Sequence, residues 1–394
     1  MNSPSTNDLT RLRIDHIGSL VRPVKLKEAF ARHDHGQLSL EELRSVQDEA
    51  IREVIAGQQA HRLPVVTDGE FRRHNFQESF SEAVSGFDVP KDRALYYQQR
   101  QLNLNPFERA EQNFDEQGPA IITRRPAVAR LKLVRNIPLE EFRFAQSIAT
   151  RPVKVTLIGP DRIAQRFKWE ASTAVYQDLD EFVADVVAIE RRMIKELVDA
   201  GCRYIQIDAP GYTAYVDPIS LQRMRSRGED PQSNLEGSIQ ADNALIEGFP
   251  GVAFGIHICR GNARTVDPKT GQLVPQWHRE GHYDAIAERL FNGLRHDRLL
   301  LEYDSDRAGG FEPLRLVPKD KMIVLGLVTT KSSDVESLEE LKKRIDQASR
   351  YLPLDQLALS PQCGFGGIDS KAMSEDEMWR KLDRIVETAE QVWG

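Results

Sequence analysis

Cysteine is scarce in this chain. Three residues in 394, Cys202, Cys259 and Cys363, are too few and too widely spaced for a disulfide framework, and the odd count points to reduced thiols. No apolar run reaches the roughly 20 residues that a membrane-spanning helix needs. The opening stretch MNSPSTNDLTRLRID lacks a signal-peptide hydrophobic region, so the cytoplasm is the expected location. Positive charge is in deficit too: 53 Lys and Arg against 60 Asp and Glu leave a net charge of −7. The basic residues are scattered, which argues against a nucleic-acid partner, as the lack of apolar runs argues against a membrane. No internal repeat or low-complexity linker divides the sequence. One domain over residues 1–394 is therefore expected.

What the chain does have is rhythm. Short β-branched runs occur at 12–20, 64–70, 153–160, 204–210, 252–259, 298–304, 322–329 and 357–363. Most are near-continuously apolar, as parallel strands buried on both faces are. Helical patterns fall between them, at 40–60, 283–295, 336–351 and 374–392. The clearest is DLDEFVADVVAIERRMIKELVDAG, where Leu179, Phe182, Val183, Val186, Val187, Met193, Ile194, Leu197 and Val198 form one stripe. Asp178 suits its N-cap, and Gly201 the left-handed position beyond its end. Eight strands with intervening helices predict an α/β fold, a TIM (β/α)8 barrel. A doubly wound sheet is the alternative, but no Gly-x-Gly-x-x-Gly follows an early strand. Residues 76–150 break the rhythm. They read as an inserted excursion in which RALYYQQ and PAIITRRPA pair as a hairpin over the barrel mouth.

Barrel chemistry sits at the carboxyl ends of the strands. Those ends here carry Ser19, Asp68-Gly69-Glu70, Asp208, His257 with Cys259, Glu302 and Cys363. In GIHICRGN, His257 and Cys259 are two apart and so face the same side of a strand. Two thiolates, an imidazole and a carboxylate suit tetrahedral Zn2+, which makes His257, Cys259, Glu302 and Cys363 the candidate ligands. Each has a plainer role when taken alone: core filler for a cysteine, a satisfied core histidine, a salt bridge for Glu302. Cys202 joins no such cluster and reads as structural. A zinc site with two thiolates and a carboxylate carries a net negative charge and polarises water poorly. It does lower the pKa of an incoming thiol and leaves it nucleophilic, with Glu302 as the ligand most easily displaced. The chemistry predicted is S-alkylation.

DHIGSLVRP, TDGEFRR, IQIDAP, GIHICRGN, LEYDSDRAGG and ALSPQCGFGG together resemble the catalytic barrel of cobalamin-independent methionine synthase. The likeness extends to its short single-barrel relatives, including epoxyalkane:coenzyme M transferases, and covers about residues 12–368. The resemblance implies a zinc-dependent methyltransferase acting on a thiol, homocysteine giving methionine, with the same four ligands. It also implies thiol-substrate binding by Ile17, Ser19, Glu70 and Asp208, Asp208 sharing the catalytic role with Glu302. A carboxylate pair suits an ammonium group; pairing of Glu70 and Asp208 with Arg72 or Arg73 is the competing reading. The departures lie on the donor side. The family's Asp-Glu-Pro is Asp208-Ala209-Pro210, its Ile-His-Ser-Pro is Thr330-Lys331-Ser332-Ser333, and no tryptophan ends VKVTLIGP. The methyl donor is thus expected to be either a folate or a methyl-corrinoid protein. The alternatives are a thiol alkyltransferase or lyase using another thiol or an epoxide, and a non-catalytic zinc-binding barrel. Arg72, Arg260, Arg307 and Lys331 stand near strand ends without an assigned role. Tyr212 and Tyr215 follow Asp208, either against a donor ring or packed within their loop.

Overall fold

The computed structural model describes residues 9–74, 76, 78–88, 126–167, 169–260, 264–266, 273–275, 279–366 and 373–394. Its centre is a six-stranded parallel sheet: β1 (Lys154–Ile158), β2 (Tyr204–Asp208), β3 (Ala253–Ile258), β4 (Arg298–Glu302), β5 (Met322–Val328) and β6 (Leu357–Pro361). All six are buried along their whole length, which is why they read as largely apolar runs. Each strand pairs with the next in the chain, so the spatial order equals the sequence order. A doubly wound sheet reverses direction at a switch point. This one does not, and that alternative falls.

The first two expected strands are not full strands. Ile14 bridges Leu359 beside β6, and Val66 bridges Val153 beside β1, both parallel, so these segments extend the sheet at its two edges. They also meet each other. The Leu20 amide donates to Gly69 O at 3.2 Å and Thr67 Oγ1 to Gly18 O at 2.7 Å. Gly18, Gly69 and Glu70 all have positive φ, which bends both segments out of extended geometry and ends their ladders early.

The helices form where the stripes predicted them, at Leu40–Ala60, Leu179–Asp199, Ala287–Gly293, Leu338–Ser349 and Glu375–Trp393. Their starts are chemically marked. Ser39 with Glu42, and Ser374 with Glu377, form capping boxes, and Asp178 accepts from the Glu181 amide at 2.8 Å. Gly201 takes φ +100° past the end of Leu179–Asp199, as expected. Among the described residues no helix is long and apolar enough to cross a membrane.

The 76–150 stretch read as an excursion is described only towards its two ends. Its last part is the helix Ile137–Ile148, which packs on β1 between the helices Leu40–Ala60 and Leu179–Asp199. A hairpin is present, but between Val84–Phe87 and Ala127–Leu133. RALYYQQ and nearly all of PAIITRRPA lie outside the described residues. The described hairpin lies against residues 172–185: the Leu131 amide donates to the Tyr176 hydroxyl, and Phe87 meets Phe182 edge-on. Its buried residues Val84, Phe87 and Leu131 explain that placement.

Candidate metal centre

His257 is the penultimate residue of β3, and Cys259 follows the strand end. Asp208 and Glu302 close β2 and β4, and Cys363 lies two residues past β6. The parallel register carries all of them to one rim, with Asp208 directly beside His257 and Glu302 beside Gly326. Gly326 is needed there, because a Cβ at that position would come within 2.8 Å of Leu301 O and the Gln362 Cα.

Three of the four expected ligands converge. The ligand atoms of His257, Cys259 and Cys363 all lie within 4.8 Å of one another, and the two Sγ atoms are 3.7 Å apart. The imidazole is oriented. Nδ1 faces Leu300 O at 3.3 Å, while Nε2 is buried without a hydrogen-bond partner among the described residues. A carbonyl on one ring nitrogen fixes the tautomer that leaves a lone pair on the other, an arrangement common to metal-ligating histidines. Two thiolates about 2.3 Å from a tetrahedral ion stand about 3.8 Å apart, close to the spacing present here. The residues fit Zn2+.

Glu302 stands outside that group of three. It is fully buried, and both oxygens are engaged. Oε2 accepts the Arg260 amide at 2.6 Å, and Oε1 accepts Arg307 Nη2 at 2.6 Å and Lys331 Nζ at 3.1 Å. Burial alone would raise its pKa, but Lys331, Arg307 and Arg260 together hold the carboxyl well below the usual range. The thiols are polarised in turn. The hydrogen bond from Cys363 lowers the Cys259 pKa against the opposing effect of burial, and the same bond raises that of Cys363. Burial favours a neutral His257, but the adjacent Cys259 thiolate draws its pKa upward.

The segment Ile17-Gly18-Ser19 runs beside the end of β6 and the turn that carries Cys363. Ile17 O accepts from Gln206 Nε2 at 2.7 Å, and Ser19 O accepts the Phe365 amide at 2.9 Å, two residues beyond Cys363. Gly364 leaves the space that Ser19 fills, since a Cβ there would be 2.0 Å from Ser19 Oγ. Glu70 is buried at φ +59°, its amide bound to Asp68 Oδ1 and its Oε1 accepting from Thr156 Oγ1 at 2.8 Å. Asp208 accepts from Gln206 at 2.7 Å and makes no salt bridge among the described residues. Burial raises its pKa, and the nearby Glu70 and Cys259 add to that against the pull of His257.

The competing arginine reading divides here. Arg72 pairs with Asp48 at 2.6 Å. Arg73 is forked onto Glu141 and approaches Glu70 only to 3.7 Å. Neither reaches Asp208. Glu141 was not legible as a partner, because its helix lay in the stretch read as an excursion. Thr156, a polar residue in a buried strand, was the one signal that something at the rim needed a hydroxyl. Tyr212 and Tyr215 are packed within the fold: their hydroxyls donate to Asp242 at 2.6 Å and Asp161 at 3.1 Å. Cys202 is buried away from the cluster, its Sγ 3.4 Å from Tyr204 O, and burial pushes its thiol up to about 12.

The chain is similar to several known proteins. The uncharacterized proteins YxjH and YxjG of Bacillus subtilis are 33% and 34% identical, each alignment covering 97% of this chain and 94% of the relative. A methionine synthase of Saccharolobus solfataricus is 26% identical over 94% of this chain and 92% of its own. The crystal structure of a presumptive vitamin-B12-independent methionine synthase from Listeria monocytogenes superposes with a TM-score of 0.71 at 26% identity, covering 97% of this chain and 98% of that one. The family profile described as "Cobalamin-independent synthase, Catalytic domain" matches residues 115–241 and 288–391. With a parallel α/β sheet whose strand ends gather these thiols and this imidazole, the chain belongs to the cobalamin-independent methionine synthase family.

Proposed function

We propose that this protein is a single-domain, zinc-dependent methyltransferase that methylates the sulfur of homocysteine to give methionine. In this reading the six strands and the two bridged edge segments close into one (β/α)8 ring. The observation that carries the proposal is the pair of sulfurs at 3.7 Å with the unpartnered His257 Nε2 beside them. A Zn2+ ion held by His257, Cys259 and Cys363, with Glu302 as fourth ligand, would supply the acidity that keeps a bound thiol deprotonated at neutral pH.

The chain's own residues account for the rest. Glu70 and Asp208 are buried acids near one another; Glu70 shares Arg73 with Glu141 and Asp208 has no salt bridge among the described residues, so the pair is short of positive charge. The ammonium group of an amino-acid thiol meets that need. Ser19 and the Ile17–Ser19 backbone lie beside Cys363 and suit the substrate carboxylate. The family supports a methyl donor of the folate type; a methyl-corrinoid protein at the open rim is the other candidate.

Calorimetric titration of the zinc-loaded protein with homocysteine tests the assignment. Binding is expected to weaken at least tenfold in Glu70→Gln and Asp208→Asn, with zinc content unchanged, about the loss of one charge-assisted hydrogen bond. Equal affinity in both variants would remove the amino-group assignment. Tight binding of a thiol without an ammonium group, such as a sulfonated ethanethiol, would favour alkyl transfer to a different thiol.

A further inference from the structure

Glu302 is claimed from two directions. It ends β4 beside the His257–Cys259 strand, yet its Oε1 is occupied by two cations from other loops, Arg307 at 2.6 Å and Lys331 at 3.1 Å. One carboxylate oxygen cannot hold both cations at hydrogen-bond distance and also donate fully to a metal. Each cation is also poised for Glu302 to leave or return. Lys331 has a second acid to rest on, Asp304 at 2.7 Å. Arg307 keeps a buried Nε without a partner among the described residues, so it depends on Glu302 for its pairing.

We infer that Arg307 and Lys331 are positioning residues that compete with the metal for Glu302, making the fourth coordination place exchangeable for the substrate sulfur. The inference rests on the zinc reading above and deepens it. Charge explains why such a device is needed. Two thiolates and an imidazole neutralise Zn2+, so a fourth anionic ligand brings the centre to −1. Glu302 and a substrate thiolate cannot both stay without reaching −2 in a buried site. The Arg307 guanidinium and the Lys331 ammonium, already on Glu302, would receive the departing carboxylate without a further charge penalty. The exchange would replace one carboxylate–metal bond with one thiolate–metal bond and release the thiol proton to solvent, with no change of oxidation state.

The test is metal affinity. Metal-free protein is titrated with Zn2+ against a chelating competitor for the wild type, Lys331→Met and Arg307→Met, each with and without Glu302→Gln. Freeing Glu302 from a cation should tighten Zn2+ binding by about tenfold (1.4 kcal/mol) when Glu302 is present, and by under about twofold in the Glu302→Gln background. The visible spectrum of the Co2+-loaded protein should change in Lys331→Met and revert when Glu302→Gln is added. An equal gain in both backgrounds would mean simple charge repulsion and would overturn the inference, as would no gain at all. Lys331→Gln, at a partly exposed position, repeats the measurement if Arg307→Met fails to fold. Absence of Zn2+ binding by the wild type would defeat the zinc reading itself, whereas binding that is insensitive to Lys331 defeats only this inference.

Discussion

The same strands carry buried charge at both ends, and the two ends treat it differently. At the amino ends, Asp15, Lys154, Tyr204 and Arg298 are all fully buried. Lys154 donates to Asp15 Oδ1 at 2.7 Å and Gln206 Oε1 at 2.8 Å. Arg298 reaches Asp15 Oδ2 at 3.1 Å, Thr10 O at 2.8 Å and Leu12 O at 3.0 Å, and the Tyr204 hydroxyl completes the set on Asp15. Every polar side-chain atom of these four residues has a partner, although the neighbouring His16 Nδ1 and both ring nitrogens of His296 have none among the described residues. At the carboxyl ends, His257 Nε2, Asp68 Oδ2, Asp304 Oδ1 and Arg307 Nε have none among the described residues. An interior that is only holding itself together closes its hydrogen bonds. The carboxyl rim leaves open the ligating and charged atoms that the proposed zinc and substrate would meet.

Breaking the closed end should cost the most. Asp15→Asn leaves Lys154 and Arg298 buried with too little negative charge, and a loss of about 3–5 kcal/mol is expected in denaturant unfolding. A loss below about 1 kcal/mol would mean the network is not the structural anchor described here. Cys363→Ser at the open end should do the reverse. Metal-free stability should move by less than about 0.5 kcal/mol, while bound zinc falls to trace levels by elemental analysis. Full zinc retention would show that the ligand set is wrong.

A third group of buried charge sharpens the contrast, because it is handled by neutralisation. Asp242 accepts from Tyr212 on one oxygen, and its other oxygen is unpartnered among the described residues, as are both of Glu190. Burial raises the Asp242 pKa to about 8, with Asp161 adding to the effect and the Tyr212 bond opposing it, and raises that of Glu190 well above its usual value. The folded state therefore keeps a proton on Asp242 that the unfolded chain releases near pH 4. Folded protein binds more protons than unfolded between about pH 4 and pH 8, so stability falls as pH rises through that window. Asp242→Asn, which can still accept from Tyr212, should remove part of this slope. Its melting temperature should match the wild type near pH 4 and exceed it by several degrees at pH 8. Parallel curves would show that Asp242 is ionised in the fold.

The smallest effect concerns neither end of the sheet. Ser374→Ala removes one capping box from the C-terminal helix and should destabilise by about 1 kcal/mol with zinc binding untouched.

Much of the architecture was legible because it is local. A fully buried parallel strand is mostly apolar, and β1 to β6 are, with exceptions such as Lys154, Gln206 and Arg298 whose polar groups find partners only in the folded chain. The helix stripe from Phe182 to Leu197 appears in the structure, although Leu179 proved exposed while Ile189 and Glu190 are buried. A buried glutamate in mid-helix violates the hydrophobic period and could not have been read as inward-facing. The edge segments at Ile14 and Val66 looked like strands because their composition is that of strands. The positive φ angles that cut them short are set by the meeting of Ile17–Ser19 with Thr67–Glu70, a contact between residues about fifty apart.

By itself, then, the sequence determined where strands and helices begin, that the strands are buried on both faces, and which side chains of ligating type stand at their carboxyl ends. These follow from nearest-neighbour sterics, caps and hydrophobic period. Only the tertiary structure decided which of those side chains meet. Cys259 and Cys363 are 104 positions apart, and their 3.7 Å separation depends on the register of β3, β4, β5 and β6 between them. Glu302 was legible as a carboxylate at the rim, but Arg307 and Lys331 become its partners only through the path of two loops. The Coulomb energy of a charge pair depends on its separation and on the local dielectric, so what each charged group does is a property of placement, which no local pattern encodes.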